Sequence, residues 1–172
     1  MLQKTKQPTS TMRIREFNEE KDLGRLRACL IELQDFEHSL DARMPTGRQI
    51  VDQYLPQIFE RCEDCDGIVL IAEIDGEVAG YTSVLNRVTS DEIEEGSLEY
   101  ALISDLIVAS RFRGRGVGRR LLQAAEAHAR SAGVNWLRVG ALANNHAARA
   151  LYESAGFSYL YVELEKDLGE LE

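Results

Sequence analysis

Cysteine, proline and aromatic residues are all scarce in this 172-residue chain. It has three cysteines, three prolines and one tryptophan, and aromatics make up 7% of it. An odd set of cysteines (Cys29, Cys62, Cys65) argues against a secreted disulfide framework. Cys62 and Cys65 have the spacing of half a zinc site, but no second pair follows. The three histidines (His38, His128, His146) are scattered, so no metal is expected. The few prolines and thirteen glycines exclude a low-complexity or collagen-like chain. No apolar run approaches the roughly 20 residues of a membrane span. The polar start, Gln3 to Ser10, has no apolar signal-peptide core, and a cytoplasmic protein is the expectation. Positive charge is also in deficit. Twenty Lys and Arg against 29 Asp and Glu give a net charge of −9, which argues against broad nucleic-acid or anionic-membrane binding.

Hydrophobic residues amount to 44% and charged residues to 28%, a globular composition. A chain this long buries roughly 70% of its unfolded surface, enough for one core. Residues 1–11 read as a disordered leader, 12–166 as one domain and 167–172 as a polar tail. Met12 to Phe17 suits a short strand. Asn18 followed by Glu19, Glu20 and Asp22 marks a helix start. Leu23, Leu26, Leu30 and Leu33, then Leu40 after a longer gap, trace its apolar face over about 19–39. A second helix is expected over about 48–61, with Pro56 kinking or splitting it. Ile68 to Glu73 and Val78 to Leu85 form a hairpin around Asp75-Gly76. The acidic stretch Asp91, Glu92, Glu94, Glu95 and Glu99 reads as a loop. Tyr100 to Val108 is a strand buried on both faces. A helix over 116–131, a strand over 136–141, a helix ending near Ala155 and one or two strands within Phe157 to Leu164 complete the order. This is a mixed α/β chain, antiparallel at first, then crossing in parallel, with helices on both faces.

The most informative stretch is Arg111-Phe112-Arg113-Gly114-Arg115-Gly116-Val117-Gly118-Arg119-Arg120, between a buried strand and a helix. Glycines let the backbone come close to a ligand. The helix start adds unpaired N–H groups and the positive end of its dipole. Together they suit a pyrophosphate. The pattern lacks the Gly-Lys-Ser/Thr of a P-loop and the third glycine of a dinucleotide fold.

Arg113-x-x-Gly116-x-Gly118 resembles the Arg/Gln-x-x-Gly-x-Gly/Ala motif of the GNAT superfamily of N-acetyltransferases. Asn145 to Phe157, with Asn145, Ala148, Leu151-Tyr152 and Gly156-Phe157, resembles the same family's Asn-x-x-Ala-x-x-Leu-Tyr followed by Gly-Phe. The resemblance implies a central mixed sheet of six to seven strands, about four helices and splayed middle strands. It implies acetyl-CoA as cosubstrate, with a small-molecule or protein amine as acceptor and direct attack in a ternary complex. Ile107 and Val108 would offer backbone groups to the pantetheine arm. Arg113, Gly114, Arg115, Gly116, Val117, Gly118 and Arg119 would wrap the pyrophosphate.

Asn145 would contact the CoA arm or simply cap its helix. Tyr152 matches the usual general acid, since a phenol with pKa ~10 stays protonated at neutral pH. Asp105 is the candidate base or water-orienter, or a structural hydrogen-bonding group. The adjacent position, often glutamate in relatives, is Ser104, and strand alternation places the two on opposite faces. His38, Asp41, Arg43 and the acidic stretch are candidates for the acceptor side. A CoA-binding regulatory domain without turnover, or transfer of another acyl group, are the competing functions. The last strand could pair across a homodimer.

Overall fold

The computed structural model describes residues 11–90, 93 and 96–169. Residues 1–10 of the expected leader, Asp91, Glu92, Glu94 and Glu95 of the acidic stretch, and residues 170–172 of the expected tail lie outside the described residues. The order is β1 (Met12–Glu16), α1 (Glu19–Leu40), α2 (Gly47–Asp64), β2 (Ile68–Ile74), β3 (Glu77–Thr89), β4 (Glu99–Val108), α3 (Val117–Ser131), β5 (Leu137–Val139) and α4 (His146–Ser154). A single 3-10 turn, Ser110–Phe112, joins β4 to the glycine loop.

The five strands lie in the order β1-β2-β3-β4-β5. The first four are antiparallel and β5 runs parallel to β4. The sheet is mixed, with four helices around it, as the sequence implied. The strand count is lower than the expected six to seven. Phe157 to Leu164 forms no strand, and Tyr159, Leu160, Tyr161, Val162 and Leu164 are exposed. Strand character is not enough without a partner, and among the described residues the outer edge of β5 receives none. Pro56 does not split α2. Its missing N–H costs the Asp52 carbonyl one helical bond. The turns on either side stay anchored by Val51 and Ile58, both in the core.

Val78 through Asn86 of β3 are buried without a break, so helices cover both faces of the sheet there. Leu26 and Leu30 of α1 and Leu121 of α3 are almost wholly buried. Each contributes about 1.5–3 kcal/mol through burial. Asn18 caps α1 by accepting from the Lys21 N–H. Below that cap, Asp22 is 1% exposed and accepts two hydrogen bonds from the Arg15 guanidinium, at 2.6 and 2.8 Å. This pair fastens the start of α1 to β1. Among the described residues no helix is long and apolar enough to cross a membrane.

Candidate active site

The strands meant to separate do separate. β4 pairs with β5 only from Ala101 to Ile103, against Leu137 to Val139. Past Ile103 the two part. The gap holds a cavity of about 70 Å³, lined by Ile103 to Leu106 on one side and Val139 to Ala141 on the other. Leu33 and Glu37 of α1 and Asn145, Ala148 and Tyr152 of α4 complete the wall. The Asn144 amide donates to the Leu40 carbonyl at 3.0 Å and so ties the loop before α4 to the end of α1.

One residue of β4 is out of register. Ser83 faces Asp105 while Val84 faces Ile103, so Ser104 is an extra residue, a bulge. The bulge overturns the alternation expected for Ser104 and Asp105. Arg61 of α2 donates to the Ser104 hydroxyl at 3.0 Å, and Tyr54 of α2 donates to Asp105 at 3.1 Å. Both side chains therefore turn toward α2. Beyond the bulge, Leu106 and Val108 turn the other way, toward Gly118 of α3.

Asp105 is 5% exposed. Ser83 donates to it at 2.6 Å, beside the bond from Tyr54. Burial pushes its carboxyl above the ordinary range, against the pull of hydrogen bonds from Ser83, Tyr54 and Ser104 and the charge of Arg61. Glu37 is half-buried at the cavity wall, and burial followed by the charge of Asp105 raises its carboxyl as well. Tyr152 rests against the Phe157 ring, with centroids 5.9 Å apart. Burial, then the charge of Glu37, pushes its phenol up to about 12. A phenol so placed keeps its proton at neutral pH and can offer it in a hydrogen bond to a departing sulfur.

The glycine loop sits at the other end of the gap. Gly114 and Gly116 have φ of 72° and 81°, a region that side chains with a Cβ adopt at a cost. Gly116 is the N-cap of α3 and no side chain caps the helix, so its first-turn N–H groups are left to a ligand or solvent. Val117 is buried beneath them. Gly118 serves packing, because a Cβ there would lie 3.0 Å from Leu151 of α4.

Arg115 and Arg119 are exposed around the loop. Arg119 donates to Ser154 at 3.2 Å, and the Arg115 guanidinium lies 5.5 Å from the Phe112 ring centre. Arg113 turns back on the chain instead, donating to the Val108 carbonyl at 3.1 Å and reaching Glu32 at 3.4 Å. The Val108 carbonyl is thus engaged, while Ile107 is buried and paired opposite Tyr81. Asn145 caps α4 by accepting from the Ala148 N–H at 3.1 Å and also lines the cavity.

Among the described residues, none of the acceptor-side candidates lines the cavity. His38 hydrogen-bonds the Met44 carbonyl, and Asp41 pairs with Arg43. Glu37 does line it, and sequence reasoning passed over it. The signal was there: the rhythm Leu26, Leu30, Leu33 falls next on position 37, where a carboxylate replaces the expected apolar residue.

Residues 33–157 match the acetyltransferase (GNAT) family. Over 97 residues the chain is 33% identical to the uncharacterized N-acetyltransferase YhfO of Bacillus subtilis (strain 168), an overlap that covers 56% of this chain and 62% of YhfO. The chain thus spans about three fifths of that relative's length. A transcriptional regulator from Bacillus halodurans C-125 shares the fold with a TM-score of 0.70 at 21% identity, over 92% of this chain and all of that one. The aminoglycoside N-acetyltransferase AAC(6')-Iy, in complex with CoA, does so with a TM-score of 0.63 at 18% identity, over 90% of this chain and 98% of that one.

Proposed function

Because the chain belongs to the GNAT family of acetyltransferases, we propose that it moves an acetyl group from acetyl-CoA to a primary amine of a small molecule or protein. The observation that carries this reading is the parting of β4 and β5 between an uncapped helix start and a phenol. The residues present fit the cosubstrate. The first-turn amides of α3 and the backbone of Gly114 and Gly116 would take its pyrophosphate, with Arg115 and Arg119 at the rim. Val117 and Gly118 set the helix start in place from beneath. Arg113 would hold the β4 end through Val108, or swing to a phosphate. Backbone groups near Ile107 and Val108 and the amide of Asn145 would meet the pantetheine arm. When bound, acetyl-CoA supplies an activated acyl carbon and a thiolate leaving group.

The chain's own residues then do three things. They hold the thioester in the gap, beside backbone dipoles that favour charge on its oxygen. They remove a proton from the amine, with Asp105 and Glu37 as the carboxylates at hand. They return a proton to the sulfur, from the Tyr152 hydroxyl. An acidic, cysteine-poor chain suits a cytoplasmic setting. The outer edge of β5, unpaired among the described residues, and the exposed Tyr159, Leu160, Tyr161, Val162 and Leu164 support a homodimer, which light scattering would test.

The reading is tested by calorimetric titration of acetyl-CoA into wild type and Gly116→Glu. A carboxylate at that position opposes the pyrophosphate charge and strains the φ of 81°. Wild type should bind in the micromolar range. The variant, shown folded by circular dichroism, should bind at least about 100-fold more weakly, a loss of roughly 2.7 kcal/mol. Equal binding by both would refute the site.

A further inference from the structure

The two acids of the cavity are not equivalent. We propose that Glu37 is the acceptor-side carboxylate, which holds the ammonium of a cationic amine and takes its proton, while Asp105 beneath it is a positioning residue. This rests on the acetyltransferase reading above and names the partner of that same site.

The other acids of α1 that face protein are engaged. Glu32 accepts from the Ser110 N–H at 2.7 Å, and Asp35 from the Gly47 N–H at 2.8 Å. Asp22 has Arg15. Glu37 also faces protein, yet among the described residues no cation and no hydrogen-bond donor meets its carboxylate. A charge half removed from water and left unpaired is costly, and a cation arriving with the substrate would offset that cost. The cavity beside it leaves space for about two water volumes, room for an ammonium and a short stretch of chain.

Asp105 is poorly placed for the same work. Its oxygens already accept from Ser83 and Tyr54, and it is almost fully enclosed. A base must release its proton to solvent once per turnover, and Glu37 is open enough to do so. Asp105 instead contributes a nearby negative charge, which makes Glu37 a better proton acceptor. The groups facing Glu37 are Asp105 from β4 and Tyr152 from α4. Behind Asp105 stand Tyr54 and Arg61 from α2. His38 and Asp41 follow it on its own helix and the loop beyond, both engaged elsewhere.

The proton balance closes. One ammonium proton passes to a Glu37 oxygen and frees the nitrogen lone pair. The N–C bond forms to the acyl carbon, and the C–S bond breaks with its electron pair going to sulfur. The Tyr152 hydroxyl gives sulfur its proton, and the second nitrogen proton restores the phenol. Glu37 then sheds its proton to solvent, the one net proton of the reaction.

The test compares wild type, Glu37→Gln and Asp105→Asn. Calorimetry first fixes acetyl-CoA binding, which Glu37→Gln should leave within about twofold. The CoA-bound protein is then titrated with spermidine, kanamycin and Nα-acetyl-lysine methylamide, read by carboxyl ¹³C NMR. At least one amine should shift the Glu37 signal and bind roughly tenfold or more weakly to Glu37→Gln. With that amine, kcat/KM of Glu37→Gln should fall about 10²–10³-fold at pH 7. The deficit should shrink about tenfold per pH unit toward the amine's pKa of ~10, as free amine replaces the missing base. A merely structural role would give a deficit independent of pH. The proposal is overturned if no amine shifts Glu37, if Glu37→Gln behaves as wild type, or if the pH-dependent deficit belongs to Asp105→Asn instead. Wild type that fails to bind acetyl-CoA would bring down the parent reading, a distinct result.

Discussion

Asp22 and Glu37 both turn a carboxylate of α1 into protein, and the two sites are built in opposite ways. At its start, Asp22 lies against the Arg15 guanidinium, with the Asn18 N–H donating as well. Its carboxyl is held below the ordinary range, first by the Arg15 hydrogen bonds and against burial. Near its end, Glu37 is half-buried with no cation beside it among the described residues, and its carboxyl is raised. The first arrangement fastens an element and is complete in the free protein. The second is complete only when something positive enters. Charge left uncompensated at a cleft wall marks where a protein meets its ligand, because stability alone would remove it.

The comparison is broken most severely by Arg15→Met. Asp22 would then be buried without a cation, keeping only the Asn18 N–H. Denaturant unfolding should show a loss of about 3–5 kcal/mol. Acetyl-CoA affinity of the folded fraction should be unchanged, since Arg15 is remote from the gap between β4 and β5. A smaller loss in affinity and none in stability would mean that the two sites had been assigned the wrong way round.

Tyr152→Phe removes the proton donor but keeps the ring against Phe157. We expect kcat to fall about 10–100-fold, roughly 1.4–2.7 kcal/mol, with little change in KM for acetyl-CoA or in melting temperature. Unchanged kcat would assign Tyr152 to packing.

The smallest effect is the most diagnostic. Asp22 is lowered in the fold, so its stabilisation is full above its ordinary value of 3.8 and is lost as the pH falls through the depressed value. Glu37 is raised, so the native state holds the proton more tightly than the unfolded one. Stability is therefore lost as the pH climbs from the ordinary value of 4.5 through the elevated one. Glu37→Gln should be more stable than wild type at pH 8, by an amount that solvent screening keeps small, and equal to it at pH 3. Thermal melts across pH would show the two curves meeting at the acid end. A gain at pH 3 instead would contradict the assignment.

Local features were legible in the sequence and long-range ones were not. The glycine loop was readable because φ at Gly114 and Gly116 is a property of those residues and their neighbours. The cap at Asn145 was readable for the same reason. The facing of Ser104 and Asp105 was not, since the bulge depends on how β3 pairs with β4. The strand expected after Phe157 failed similarly, because propensity does not supply an edge to pair with. Glu37 was hidden in plain rhythm. Its position was marked by the apolar spacing of α1, yet only the approach of α4 shows that the stripe leaves the core there and enters a cleft.

The most direct measurement is mass spectrometry of the products after incubation with acetyl-CoA and a panel of primary amines. The account predicts at least one amine carrying one added acetyl group, formed with stoichiometric release of CoA thiol. Tight acetyl-CoA binding with no acetylated amine anywhere in the panel would contradict it, and would make this chain a CoA-binding module without turnover.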